Sequence, residues 1–160
     1  MSCRPVFALA FLLQGCFAAA TPMQRVSDAA RDMNMATRFG QVEVAARHVD
    51  RAVQTDFLSR RTQWGKTIRV LDLEIAGIHL VDEDHATVTV EVSWSSVTDS
   101  LVRATKLTQE WQNERAGWKL VREHRLSGDM GLFGEALPEL EPPHADVHRP
   151  SRTLGSNAPK

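Results

Sequence analysis

The sequence predicts an α+β domain in which two or three N-terminal helices pack on a curved, four-stranded antiparallel sheet. In the first half of the chain apolar residues recur at helical spacing, and in the second half they alternate with polar residues. Short turn sequences divide the second half into four long segments. Helices followed by strands with short connections form a helical layer on one face of an antiparallel meander.

The first helix is predicted to begin at Thr21-Pro22-Met23-Gln24. Threonine can cap a helix, proline suits the first helical position, and glutamine three residues after the cap completes a capping box. Val26, Ala30 and Met33 then follow at helical spacing, and Gly40 is typical of a helix end.

A second helix is predicted from about residue 42, because its apolar residues fit one helical face. These residues are Val42, Ala45, Ala46, Val49 and Val53. A short third helical piece carries Phe57, Leu58 and Trp64 and is predicted to end near Gly65.

The first strand is predicted over residues 67–81, with a change of facing near Val70-Leu71 and a glycine, Gly77, that indicates a bulge or bend. The second strand alternates most regularly. Its predicted inward residues are Ala86, Val88, Val90, Val92 and Trp94.

The third strand is predicted over residues 101–113, where Leu107, Gln109 and Trp111 share a face, and the fourth over residues 118–126. Long strands of which one is bent favour a strongly curved sheet.

The helix-then-meander order, together with Gln109-Glu110-Trp111 and Trp118-Lys119-Leu120-Val121, resembles the nuclear transport factor two-like, or cystatin-like, α+β cone. The resemblance covers about residues 25–134 and implies a cone-shaped sheet. It implies little about function, because one fold serves enzymes, binding modules and assembly domains.

The N-terminus has the pattern of an export signal. A short start with one positive charge precedes about eight apolar residues, a run too short to cross a bilayer. Leu13-Gln14-Gly15-Cys16 resembles the lipobox of bacterial lipoproteins, although small residues are usual where Gln14 stands. This resemblance implies a signal peptide at residues 1–15 and a lipid on Cys16.

The competing interpretation is ordinary signal cleavage after Ala20, at the A-x-A site Ala18-Ala19-Ala20, which would release a soluble periplasmic or secreted protein. With lipid on Cys16, residues 16–24 form a short tether and helix start. By resemblance to lipoprotein sorting, Phe17 after the cysteine favours the outer membrane, facing the periplasm.

Residues 135–160 hold five of the seven prolines and few large apolar side chains, so they are predicted to form a disordered tail after a domain at residues 25–134. The formal net charge of −1 gives no support for nucleic-acid binding. Since Cys3 lies in the leader, the mature chain has at most one cysteine and no internal disulfide.

The sequence contains few residue patterns that indicate catalysis or the binding of a metal or cofactor. The six histidines show no metal-binding spacing, and no glycine-rich phosphate loop is present, so no metal or cofactor is expected. Asp72, His79, Gln109 and His124 are the strand-borne candidates for catalysis, with surface placement as the simpler interpretation of these polar residues.

Trp94, Gln109, Trp111 and Trp118 are candidate pocket-lining residues for an apolar ligand, and the alternative is that the indoles fill the core. The sequence therefore favours a membrane-anchored binding or assembly module whose partner is a protein, its own copy or a small apolar ligand. A small hydrolase, isomerase or dehydratase on the same fold is the alternative.

Overall fold

The computed structural model describes residues 19–137, which form three helices packed on one four-stranded antiparallel sheet. The helices are α1 (Pro22–Arg38), α2 (Val42–Ala45) and α3 (Arg51–Arg60), with a 3₁₀ turn at Ala46–His48; the strands are β1 (Ile68–Leu80), β2 (His85–Ser96), β3 (Val102–Glu114) and β4 (Gly117–Gly128). Strand order follows the chain, so the sheet is a meander. The predicted α+β class is confirmed.

Helix α1 begins as the sequence predicts. The Thr21 Oγ1 accepts a hydrogen bond from the Gln24 backbone N–H at 3.2 Å, and Pro22 occupies the first turn. Val26, Ala30 and Met33 are completely buried beneath the helix. These contacts confirm both the predicted cap and the predicted inward face.

The prediction of one continuous helix through Val53 is wrong, because the chain breaks at Val49. Val49 is extended (φ −102°, ψ 137°) and forms a parallel bridge with Leu120 of β4. Asp50 then caps α3, accepting the Ala52 N–H at 2.8 Å, while its own N–H donates to the Leu120 carbonyl at 2.9 Å. Pairing with β4 and the new cap replace the hydrogen bonds of a continuous helix.

The two edge strands are irregular and the central pair is regular. Strand β1 shifts register at Leu71 and Ala76, and β4 shifts at Val121 and Leu126, whereas β2 and β3 pair without a shift. The predicted change of facing in β1 is confirmed. However, Leu71 is 45% exposed, because it is the extra residue of the bulge and has no partner on β2.

The inner face of the sheet carries the core. The predicted inward residues of β2 are all buried, and Leu107, Gln109 and Trp111 of β3 face the same side. Residues 19–137 contain no cysteine, so side-chain packing and polar contacts hold the helices on the sheet.

After β4 the chain folds back over the core. The Trp64 indole N–H donates to the Leu132 carbonyl at 2.8 Å, and the Trp64 ring stacks on Phe133. The Glu135 carboxylate accepts the backbone N–H groups of Gly131 and Phe133. Residues 135–137, which the sequence predicts to belong to the tail, thus contact the folded part.

Cys16, the leader and residues 138–160 lie outside the described residues, so the predictions for the signal, the lipid and most of the tail remain predictions. Between residues 19 and 137, none of the helices combines the length and the apolar character needed to cross a membrane.

Candidate functional site

A buried polar network lies on the inner face of the sheet, between the helices and strands β3 and β4. At its centre is Gln109, which is completely buried. The Gln109 amide exchanges two hydrogen bonds with Asn34 of α1, at 3.1 and 2.9 Å, and its Nε2 also donates to Glu123 Oε1 of β4 at 2.9 Å. The Asn34 Nδ2 donates further to the Ala30 carbonyl at 2.8 Å.

The network ends in a buried ion pair. The Arg61 Nη2 lies 2.6 Å from Glu123 Oε2, and the two side chains are only 2% and 5% exposed. The Arg61 guanidinium stacks on Phe57 at 3.7 Å from the ring centroid, and its Nη1 donates to the Phe57 carbonyl. Among the described residues, the Arg61 Nε has no hydrogen-bond partner.

Each oxygen of the Glu123 carboxylate therefore accepts one hydrogen bond, one from Arg61 and one from Gln109. The Glu123 backbone is also fixed, since Arg60 Nη1 donates to its carbonyl at 3.1 Å. A general base must lie within hydrogen-bond reach of the proton that it removes from its substrate. In this arrangement the carboxylate instead joins helix α1, the end of α3 and two strands.

Of the four strand-borne candidates, the structure brings only Gln109 into this network. Asp72 is half-exposed at the β1 edge and pairs with Arg38 at 3.0 Å, while His79 and His124 are exposed on β1 and β4. The four side chains do not converge on one site.

Sequence reasoning missed Asn34, Arg61 and Glu123. Strict alternation from Trp118 and Leu120 would turn Glu123 outward, but the bulge at Val121 inserts one residue and pairs Glu123 with Gln109. The consecutive apolar pair Leu120-Val121 was the available signal, of the same kind as Val70-Leu71 in β1.

The three tryptophans predicted to line a ligand pocket lie in the packed core. Trp94 and Trp111 are 0% and 1% exposed, and Trp118 is 4% exposed. The Trp94 indole N–H donates to Thr105 Oγ1 at 2.9 Å, whereas the indole N–H groups of Trp111 and Trp118 find no acceptor within residues 19–137. Binding of an apolar ligand by these residues stays a prediction.

Another arginine–carboxylate pair, Arg103 with Asp99, lies at the β2–β3 turn. Hydrogen bonds from the Arg103 guanidinium, and then from the Leu101 N–H, lower the pKa of the Asp99 carboxyl to about 2. Elsewhere, burial lowers the pKa of His48, opposed by Asp32. The part of the chain that the structure describes contains no cluster of three or more side chains suited to a metal ion.

Grooves run along both edges of the sheet. One of about 230 Å³ lies between α3 and β4, with Val53, Phe57 and Leu120 among its lining. Two more, of about 340 and 380 Å³, lie between α1 and β1. Two of these grooves reach the polar network, because Glu123 lines the groove of about 230 Å³ and Asn34 lines the groove of about 340 Å³.

No protein-family model and no curated protein matches the sequence. Among solved structures, the chain is similar to a ketosteroid isomerase-like protein from Erwinia carotovora atroseptica, with 14% identity and a TM-score of 0.49 over 64% of this chain and 95% of that one.

It is also similar to the intermembrane space region of the chloroplast protein ARC6, with 13% identity and a TM-score of 0.45 over 64% of this chain and 94% of that one. A protein of unknown function with a cystatin-like fold from Nostoc punctiforme matches with 12% identity and a TM-score of 0.42, over 63% of this chain and 86% of that one.

Proposed function

We propose that this chain is an exported, lipid-anchored domain that acts by binding a partner in an assembly at the cell envelope, and not by chemical turnover. One observation carries the proposal: buried side chains fill the inner face of the sheet, and the amides of Asn34 and Gln109 and the carboxylate of Glu123 bond to one another there. Trp94 and Trp111 occupy the interior, and Glu123 is paired on both oxygens.

The alternative, a hydrolase or isomerase using the interior, needs an acid or base beside an enclosed space for substrate. The candidates Asp72, His79 and His124 lie at the surface or edge, apart from Gln109. Their separation supports binding over turnover.

The anchor rests on Leu13-Gln14-Gly15-Cys16. Because α1 begins at Pro22, residues 17–21 are the only link between Cys16 and the first helix, and five residues reach at most about 17 Å. A lipidated Cys16 would hold the domain close to the bilayer, where outward surfaces are available to a neighbouring envelope protein.

The anchor is tested by growing producing cells with labelled palmitate. We expect label in the wild-type protein and none in Cys16→Ser, with the wild type in the membrane fraction. A mature protein that begins at Thr21 by mass spectrometry would show that the soluble alternative is correct.

Binding is tested by cross-linking the full lipidated protein in intact envelopes, with Glu123→Gln as a matched second bait. At a temperature at which thermal melts show that Glu123→Gln is folded, we expect one partner at saturable, near-stoichiometric yield with both baits, because the Glu123 side chain is only 5% exposed. The purified mature domain should compete for that partner. Turnover of a small substrate that is lost in a folded Glu123→Gln variant would overturn the proposal.

A further inference from the structure

The groove at the C-terminal end of α1 has exposed apolar walls. It is lined by residues 37–40 of the helix end, Trp64, Gly65, and residues 69–71 of β1, and is here called the α1/β1 groove. Phe39 is 67% exposed and Leu71 is 45% exposed. Exposed apolar side chains that share one groove mark an interaction surface.

The same groove carries positive charge at its rim. Arg38 and Arg69 both line it. Arg38 pairs with Asp72 at 3.0 Å, while Arg69 is exposed and forms no ion pair within residues 19–137. The groove therefore suits an apolar side chain flanked by carboxylates.

The segment after β4 contacts one wall of this groove. Trp64, one of its walls, donates to the Leu132 carbonyl and stacks on Phe133, so the segment after β4 passes directly against it. Leu137 then packs against Gly131 and the hydrophobic core.

The next six residues are Pro138-Glu139-Leu140-Glu141-Pro142-Pro143. Leu140 stands between two carboxylates, and it follows Leu137 by three residues, an extended reach of about 10 Å. Proline restricts both itself and its preceding residue to extended backbone, which lowers the entropy lost when such a segment is held in a groove.

We propose that residues 138–143 of the same chain occupy the α1/β1 groove, with Leu140 between Phe39 and Leu71 and with the flanking glutamates facing Arg69 and Arg38. The apolar patch is then an intramolecular docking site. Side chains make the contact, because the bulge at Leu71 interrupts the regular edge that an added strand would need.

Disulfide trapping tests the position. In the mature chain with Cys16→Ser, Leu71→Cys is combined with Leu140→Cys, and the control combines Leu140→Cys with Thr89→Cys on the opposite face of the sheet. Because docking raises the local concentration of the two thiols, we expect a monomeric cross-link at least about tenfold faster in the first pair.

Two results would contradict the proposed docking of residues 138–143 in the α1/β1 groove. A disulfide-linked dimer from the first pair would assign the groove to a second copy, and equal rates in the two pairs would show that the segment has no preferred place. Thermal melts of both reduced variants confirm that each is folded.

A charge exchange tests the recognition in the same trapped pair. Arg69→Glu should slow cross-linking severalfold at low salt, and adding Glu139→Arg with Glu141→Arg should restore the rate. Asp146→Arg, in the same tail, serves as the control and should not restore it. An unchanged rate in Arg69→Glu would contradict the charge pairing and overturn the proposed recognition.

Discussion

Two of the arginine–carboxylate pairs of this protein, Arg61 with Glu123 and Arg103 with Asp99, have similar chemistry and very different surroundings. In both, the guanidinium packs on an aromatic ring, Arg61 on Phe57 and Arg103 on Trp94. Arg61 and Glu123 are 2% and 5% exposed and 62 residues apart, whereas Asp99 is 21% exposed and lies four residues from Arg103. The Arg61–Glu123 pair joins the helical layer to the sheet, and the Arg103–Asp99 pair lies within the β2–β3 turn.

This difference shows what each pair can contribute. Desolvation offsets much of the attraction in a buried pair, but the loss of one partner leaves an uncompensated charge in the interior. A pair at the rim is screened by water and salt, so its loss matters less. The buried pair therefore fixes how α3 is placed on β4, and the rim pair sets local electrostatics.

The largest effect is expected when an interior charge has no partner at all. Val90 is completely buried in the centre of β2, so Val90→Asp should destabilise the domain by about 4–5 kcal/mol, enough to unfold a marginal protein. Urea unfolding followed by circular dichroism measures the loss. Thr89→Asp, whose side chain points to the other face, is the control, and equal losses would mean that the facing of β2 is wrong.

The second-largest loss of stability is expected when one member of the buried Arg61–Glu123 pair is removed. Glu123→Ala leaves Arg61 charged and buried, so we expect a loss of about 3–5 kcal/mol in the free energy of unfolding, with a much smaller loss in the double variant Arg61→Met, Glu123→Leu. Glu110→Ala, at a half-exposed position on β3, is the control. A double variant as unstable as the single one would show that packing, and not the unpaired charge, determines the loss.

A neutral change in the same network should have an intermediate effect. Gln109→Met keeps the volume but deprives Asn34 and Glu123 of a partner, so a loss of about 1–3 kcal/mol is expected. Chemical denaturation is again the measurement, with exposed Gln112→Met on the same strand as control. Two equally mild losses would contradict a structural role for the network.

The smallest effect is expected at the rim. The pKa of Asp99 is lowered from 3.8 to about 2, so its pair stabilises the fold above pH 3.8 and that contribution is lost as the pH falls through 2. Asp99→Asn should remove this acid dependence, with a small loss at pH 7 that shrinks with salt.

The carboxyl resonance of Asp99, titrated by NMR, gives the midpoint directly. A midpoint near 3.8 would show that Arg103 is not paired with Asp99 in solution. Asp56→Asn, which removes the exposed partner of Arg60, is the comparison for a pair at the helix surface.

Most of the fold could be predicted because its signals are local. The cap at Thr21, the alternation of β2 and the facing change at Val70-Leu71 each depend on neighbouring residues, and the structure confirms them. The helix break at Val49 depends on pairing with Leu120, some seventy residues away along the chain, and no local pattern contains that contact.

The polar network was only partly predictable for the same reason. Gln109 could be identified because it shares a face with Leu107 and Trp111 in an unbroken alternation. Glu123 faces inward because of the bulge at Val121, and Arg61 is buried where it pairs with Glu123 and stacks on Phe57. These contacts join residues that are far apart in the sequence, so no local pattern could predict the complete network.

The irregular outer strands of the sheet have one further consequence. A neighbouring molecule that tried to extend the sheet would find no long run of regularly spaced backbone groups on β1 or β4, since each has two interruptions, whereas the uninterrupted β2–β3 ladder is enclosed between them. The bulges therefore make both edges of the sheet poor templates for an added strand.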